Sequence, residues 1–216
     1  MAEVEELIKK LGTAEYGGEG YAAAIKELAF KGDKAVGPLS SVLKDKSQLP
    51  EARRGAALAF VRMAQEGKLG GIPQESREIM ADALISGLAD REFGIDKECA
   101  FTLSTGLINS VPKLKERAVK ELISRHEELG EWAFRVLGGI DYSGIPQETR
   151  EQALGALNKV IDKKKGKPDF ESDVRAAQKV IRQIEKSGDV SAKLPEKNLQ
   201  DAIGRKEKKR ETRFAN

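Results

Sequence analysis

The chain has 216 residues, with 38 Lys and Arg against 35 Asp and Glu, a formal net charge of +3 and 39% hydrophobic residues. That length can bury a core of its own, and no apolar run approaches the ~20 residues of a spanning helix, so no membrane partner is expected. One cysteine, Cys99, excludes an internal disulfide, and the N-terminus lacks the basic, apolar, small-residue order of a secretory signal, so a cytoplasmic setting is the expectation.

Period-2 alternation is scarce, while apolar residues recur at helical spacing in segments closed by Gly, Pro or Asp, which predicts an all-α chain. The first helix pair spans about 4 to 30. The second runs from 35 to 64 across KDKSQLP, and Val36, Leu39, Val42 and Leu43 form its first stripe. At Gly71–Glu78 the chain reads GIPQESRE, and GIPQETRE returns at Gly144–Glu151, 73 residues on. Pro73 and Pro146 suit a first helical turn, where a missing N–H costs nothing. Glu75 and Glu148 put acid near the positive helix end, and Gly70-Gly71 and Gly144 suit the end of a preceding helix. The octapeptide therefore reads as a joint between units.

Pair three spans 74 to 109, with Met80, Leu84 and Leu88 as a stripe and a break near DREFG. Pro112 opens a further helix and divides the 73 residues into steps of 39 and 34. Pair four runs from 112 to 140 with a turn near EELG, on Leu114, Ala118 and Leu122. Pair five runs from 147 to 186 across KKKGKPDF, on Leu154, Leu157 and Ile161, then Val174, Ala177, Ile181 and Ile184. A period of this size with two helices per unit is the mark of a helical solenoid. Apolar spacing fades past Gly188, which divides the chain into a repeat domain, 1–188, and a basic, flexible tail, 189–216. The tail holds eight basic residues against five acids, so the whole net charge sits there.

GDKAVGPLSSVLKDKSQLPEARRGAALAFVRMA, residues 32 to 64, resembles a HEAT repeat: a first helix around a Pro, an Asp ending it, and an Arg-headed second helix rich in Ala. AFRVLGGI at Ala133–Ile140 resembles the family's second-helix ending. The resemblance covers roughly 35 to 188 and implies a right-handed α–α superhelix of about five HEAT-like pairs. It places Asp45 and Arg53 where the family forms a ladder of bonds between repeats, although Asp96 stands where pair three should carry the Arg.

Candidate chemistry is sparse. His126 and Glu127 are similar to the His-Glu pairs with which HEAT-type deoxyhypusine hydroxylases hold two irons, but those need several such pairs and this chain has one histidine. His126 is read as a solvated or capping imidazole. Cys99, beside Ala100 and Leu103, lacks the base and electropositive setting of a catalytic thiol and is read as packing. Trp132 and Glu131 resemble the inner-face aromatic and acid of a HEAT-type DNA glycosylase, yet Trp132 falls in one apolar pattern with Val136 and Leu137 and is read as core. Without a phosphate loop, metal-spaced cluster or nucleophile motif, neither an enzyme nor a cofactor is expected.

The remaining signal is charge. Arg53, Arg54, Arg62, Lys97, Arg135, Arg175, Lys179 and Arg182 all lie on second helices and could align as a basic ridge; alternatively they are a solvated face, interleaved with Glu51, Glu98, Glu131 and Asp173. The tail adds Arg205, Lys206, Lys208, Lys209, Arg210 and Arg213, a pattern found both in solvated runs and in arms for nucleic acid or acidic proteins. The expected function is a non-enzymatic scaffold that presents a concave helical surface to another protein. The alternative is binding of nucleic acid or a ribonucleoprotein through the ridge and tail.

Overall fold

A computed structural model describes residues 2–167 and 170–187; the tail candidates Arg205 to Arg213 lie outside the described residues. Among the described residues there are eleven α-helices and no strand. They are α1 (Ala2–Thr13), α2 (Glu19–Lys31), α3 (Asp33–Lys44), α4 (Pro50–Gln65), α5 (Gln74–Gly87), α6 (Ile95–Ser104), α7 (Lys115–Ser124), α8 (His126–Leu129), α9 (Glu131–Leu137), α10 (Gln147–Lys164) and α11 (Glu171–Lys186). The helices pack in two rows. Each helix of the first row, α1, α3, α5, α7 and α10, lies against its mate in the second row, α2, α4, α6, α9 and α11, and consecutive helices of each row also touch.

One continuous core results, from Val4 to Ile184. Its tightest part surrounds α4, whose Ala52, Gly55, Ala56, Ala57 and Ala59 let α1, α2, α3 and α6 approach closely. A Cβ on Gly55 would stand 2.9 Å from Leu11 Cδ2 and 3.1 Å from the Tyr21 hydroxyl, so any larger residue there would push these buried side chains aside. Between α5 and α6 a Cβ on Gly87 would lie 2.5 Å from Cys99 Sγ, and Cys99 is fully buried, as packing requires.

The joints differ in detail from the sequence expectation. α4 is stopped by Gly67 in the left-handed region, φ 68°, while Gly70-Gly71 belong to a 3₁₀ turn, Lys68–Gly71. Pro73 and Pro146 have extended ψ values of 152° and 142°, so they stand just outside α5 and α10 and the helices begin one residue later. Pro112 opens a 3₁₀ turn, Pro112–Leu114, before α7 starts at Lys115. The two octapeptides do share one conformation at their cores. Ile72 and Ile145 are buried, and Gln74 and Gln147 each bond the Glu one turn on, Glu78 and Glu151. The Nε atoms of Arg77 and Arg150 are both buried without a protein partner.

Candidate functional site on the second helix row

The sequence-derived ridge does not form a continuous cationic surface. Arg53 is 2% exposed and stands in helical register with buried Ala56, Ala57 and Phe60. Its guanidinium pairs with Asp90 and, at 2.7 Å, with Glu92, while Nε donates to the Gln48 carbonyl at 3.3 Å. Lys46 completes the cluster at 2.7 Å from Asp90, its pKa lowered by burial and then by the Arg53 charge. Arg53 is therefore a tie between pair two and the turn that ends α5. Asp45 is not its partner: that carboxylate accepts bonds from the Ser47 amide and hydroxyl and from Gln48, closing its own turn. Asp90, three residues after α5, takes the bridging role, and Asp96 accepts from the Lys97 amide. The register of Arg53 with Phe60 was the signal that could have found this.

Arg54 and Arg62 are neutralised as well. Arg62 reaches Glu66 at 2.8 Å along α4. Arg54 pairs with Glu98 of α6 at 3.1 Å, donates to the Tyr16 hydroxyl and lies over the Tyr16 ring, 5.5 Å from its centroid. This pair borders an apolar patch that no periodicity announced. Tyr16 from the α1–α2 turn is 41% exposed, and Phe93 from the α5–α6 turn is 47% exposed. Their rings meet edge to face at 5.6 Å. Leu49, which precedes α4 and packs toward Gly12, is 55% exposed. Phe93 has φ 51°, the left-handed region in which a bulky residue is strained by about 1–3 kcal/mol. Tyr21 supports the patch from beneath, 5.3 Å from Tyr16, with its hydroxyl donating to the Glu51 carbonyl at 2.8 Å. Burial, then the Tyr16 charge, pushes the Tyr21 phenol up.

Toward the other end of the row the cations are open. Lys97, Arg135, Arg175, Lys179 and Arg182 are all exposed. Trp132 is not core: in the short α9 the buried set is Ala133, Phe134, Val136 and Leu137, which leaves Trp132 half-buried at the edge. Its ring meets Phe101 of α6 edge to face at 5.8 Å, and the Arg135 guanidinium lies 4.8 Å over it.

His126 Nδ1 lies 2.7 Å from the Ile123 carbonyl, which ties the imidazole to the end of α7 beside an open groove lined by Lys159, Val160 and Lys163. Cys99 is pushed up by burial and then by the Asp96 and Glu98 charges, so its thiol stays protonated. Among the described residues no group of three or more His, Cys, Asp or Glu side chains converges as metal ligands would, and no helix is long and apolar enough to cross a membrane. Set against known proteins, the chain matches no family model and no curated sequence.

Proposed function

We propose that the protein is a non-enzymatic scaffold, a right-handed superhelix of five HEAT-like helix pairs that holds another protein at the Tyr16–Leu49–Phe93 patch. The superhelical reading is supported by the two-row packing, in which each pair packs along its length against the next in sequence order. The observation that carries the binding reading is the patch itself. Two exposed aromatic rings from separate turns, Tyr16 and Phe93, meet edge to face, exposed Leu49 just before α4 packs toward Gly12 of α1, and the charged residues beside the rings are already paired with one another. An apolar, aromatic centre inside a satisfied polar rim is the anatomy of a protein-binding hot spot. The strained backbone of Phe93 adds to this, because strain persists where a side chain must be held in a set direction.

The test is photo-crosslinking in cells, with p-benzoylphenylalanine replacing Phe93 in one strain and Ile79 in another. Ile79 is also exposed, but lies on α5 of the first row. A discrete protein adduct from position 93 and none from position 79 is the expected result. Equal adducts from both positions, or none from 93, would remove the patch from this role.

A further inference from the structure

The last helix of the second row carries a feature that a protein scaffold does not need. α11 buries Ala177, Val180, Ile181 and Ile184, and on its opposite side exposes Arg175, Lys179, Arg182 and Lys186. Their spacing of four, three and four places all four cations within about 60° of the helix circumference. Elsewhere the surface cations are mostly engaged; Lys44 and Arg117, for example, converge on Asp82 from two helices. On the stripe, among the described residues, the one ion pair is Arg175 with Glu171 at 4.0 Å, the limit of such a contact. Arg182 Nε donates to the Gln178 carbonyl at 3.3 Å, which leaves its other nitrogens outward. Asp173, the other acid of the first turn, is taken by Lys164 at 2.6 Å.

We propose that this end of the row binds the backbone of single-stranded nucleic acid, with the α11 stripe contacting phosphates and the adjoining Trp132–Arg135 surface receiving a base. The stripe extends over about 16 Å of helix, on the order of five phosphates of one strand at ~3.4 Å each. α9 packs beside α11 in the same row, so Arg135 stacked on Trp132, with Phe101 behind, continues the cationic surface with an aromatic edge. Cations that track a backbone beside aromatic rings that accept bases of any identity are the two parts of a sequence-tolerant single-strand site. An acidic peptide would use the cations and leave the rings idle. A duplex keeps its base faces stacked inside and cannot use them either.

Trp132 is the chain's one tryptophan, so its fluorescence reports this site without labelling. The experiment titrates the full-length protein with a 12-nucleotide oligothymidine, a 12-base-pair duplex and a polyglutamate peptide at several salt concentrations. The quadruple variant R175Q/K179Q/R182Q/K186Q is run beside it, with its melting temperature as a control for folding. The single strand should quench Trp132, and the variant should flatten the salt dependence by about three log units per log unit of salt, since each lost phosphate contact removes about 0.7. The proposal is overturned if the oligothymidine fails to bind, or binds without quenching. It is equally overturned if the folded variant keeps the wild-type slope, or if duplex or polyglutamate binds as tightly as the single strand.

Discussion

Adjacent arginines on one helix can have opposite fates, as Arg53 and Arg54 do. One turns inward to Asp90 and the other outward to Tyr16 and Glu98, because successive residues are rotated by about 100°. Arg53→Met should leave Asp90 buried with Lys46 as its remaining cation, costing about 3 kcal/mol, within the range for breaking a buried pair from one side. Urea unfolding would measure it, and a loss below about 1 kcal/mol would mean that the cluster is not a structural tie. A similar local test concerns Gly87. Gly87→Ala drives a methyl to 2.5 Å from Cys99 Sγ, for which overpacking predicts a loss of about 1–3 kcal/mol. Adding Cys99→Ala should recover much of that loss, since the clash is with the sulfur alone. The inward turn of Arg53 was readable from its register with Phe60, whereas its partner Asp90 and the closeness of Gly87 to Cys99 are facts of tertiary packing.

At the scale of elements, the helices and their order were legible, because apolar periodicity and Gly/Pro punctuation speak directly to local structure. Details of the joints were less so. A proline is equally at home at the first helical residue and just before it; Pro50 takes the first place, Pro73 and Pro146 the second. The second helix of pair four is where the sequence places it, after the EELG turn, but the edge position of Trp132 was not legible, since the seven-residue α9 has no room for a full apolar face. The joint at Asp141 carries a pH signature. Its carboxylate is held below the usual range by the Ser143 hydroxyl at 2.5 Å, then by Lys115 at 2.9 Å and the Ser143 amide. A depressed folded pKa stabilises above the ordinary carboxylate value and is lost as pH falls through the folded value. Because Asp141 is itself exposed, Asp141→Asn should cost only about 1 kcal/mol at pH 7, and the difference from wild type should close in acid below about pH 4. Thermal melts across pH would check it; a gap that widened in acid would have the wrong sign. The repeated octapeptides offer a paired prediction. Arg77→Met and Arg150→Met each remove a buried Nε without a partner, so both variants should be at least as stable as wild type, by up to about 1 kcal/mol. Opposite signs for the two would mean that the copies are not equivalent joints.

For the whole molecule, one row of helices carries two separable surfaces: an apolar, ion-paired patch near the start of α4 and, on α11, a cationic stripe whose one ion pair among the described residues is Arg175 with Glu171. Charge counting could not make that division. It placed Arg53, Arg54 and Arg182 in a single ridge, because pairing with Asp90, Glu98 and Tyr16 depends on side chains that lie 37 or more residues away in the chain. The most direct measurement is a capture experiment on full-length protein from cell extract, run with and without nuclease. It compares wild type, the patch variant Tyr16→Ala/Phe93→Gly and the α11 glutamine variant, all shown by melting to be folded. The account predicts that the patch variant loses a nuclease-resistant protein partner and keeps bound nucleic acid, while the α11 variant does the reverse. Loss of both partners from either folded variant, or of neither from both, would contradict it.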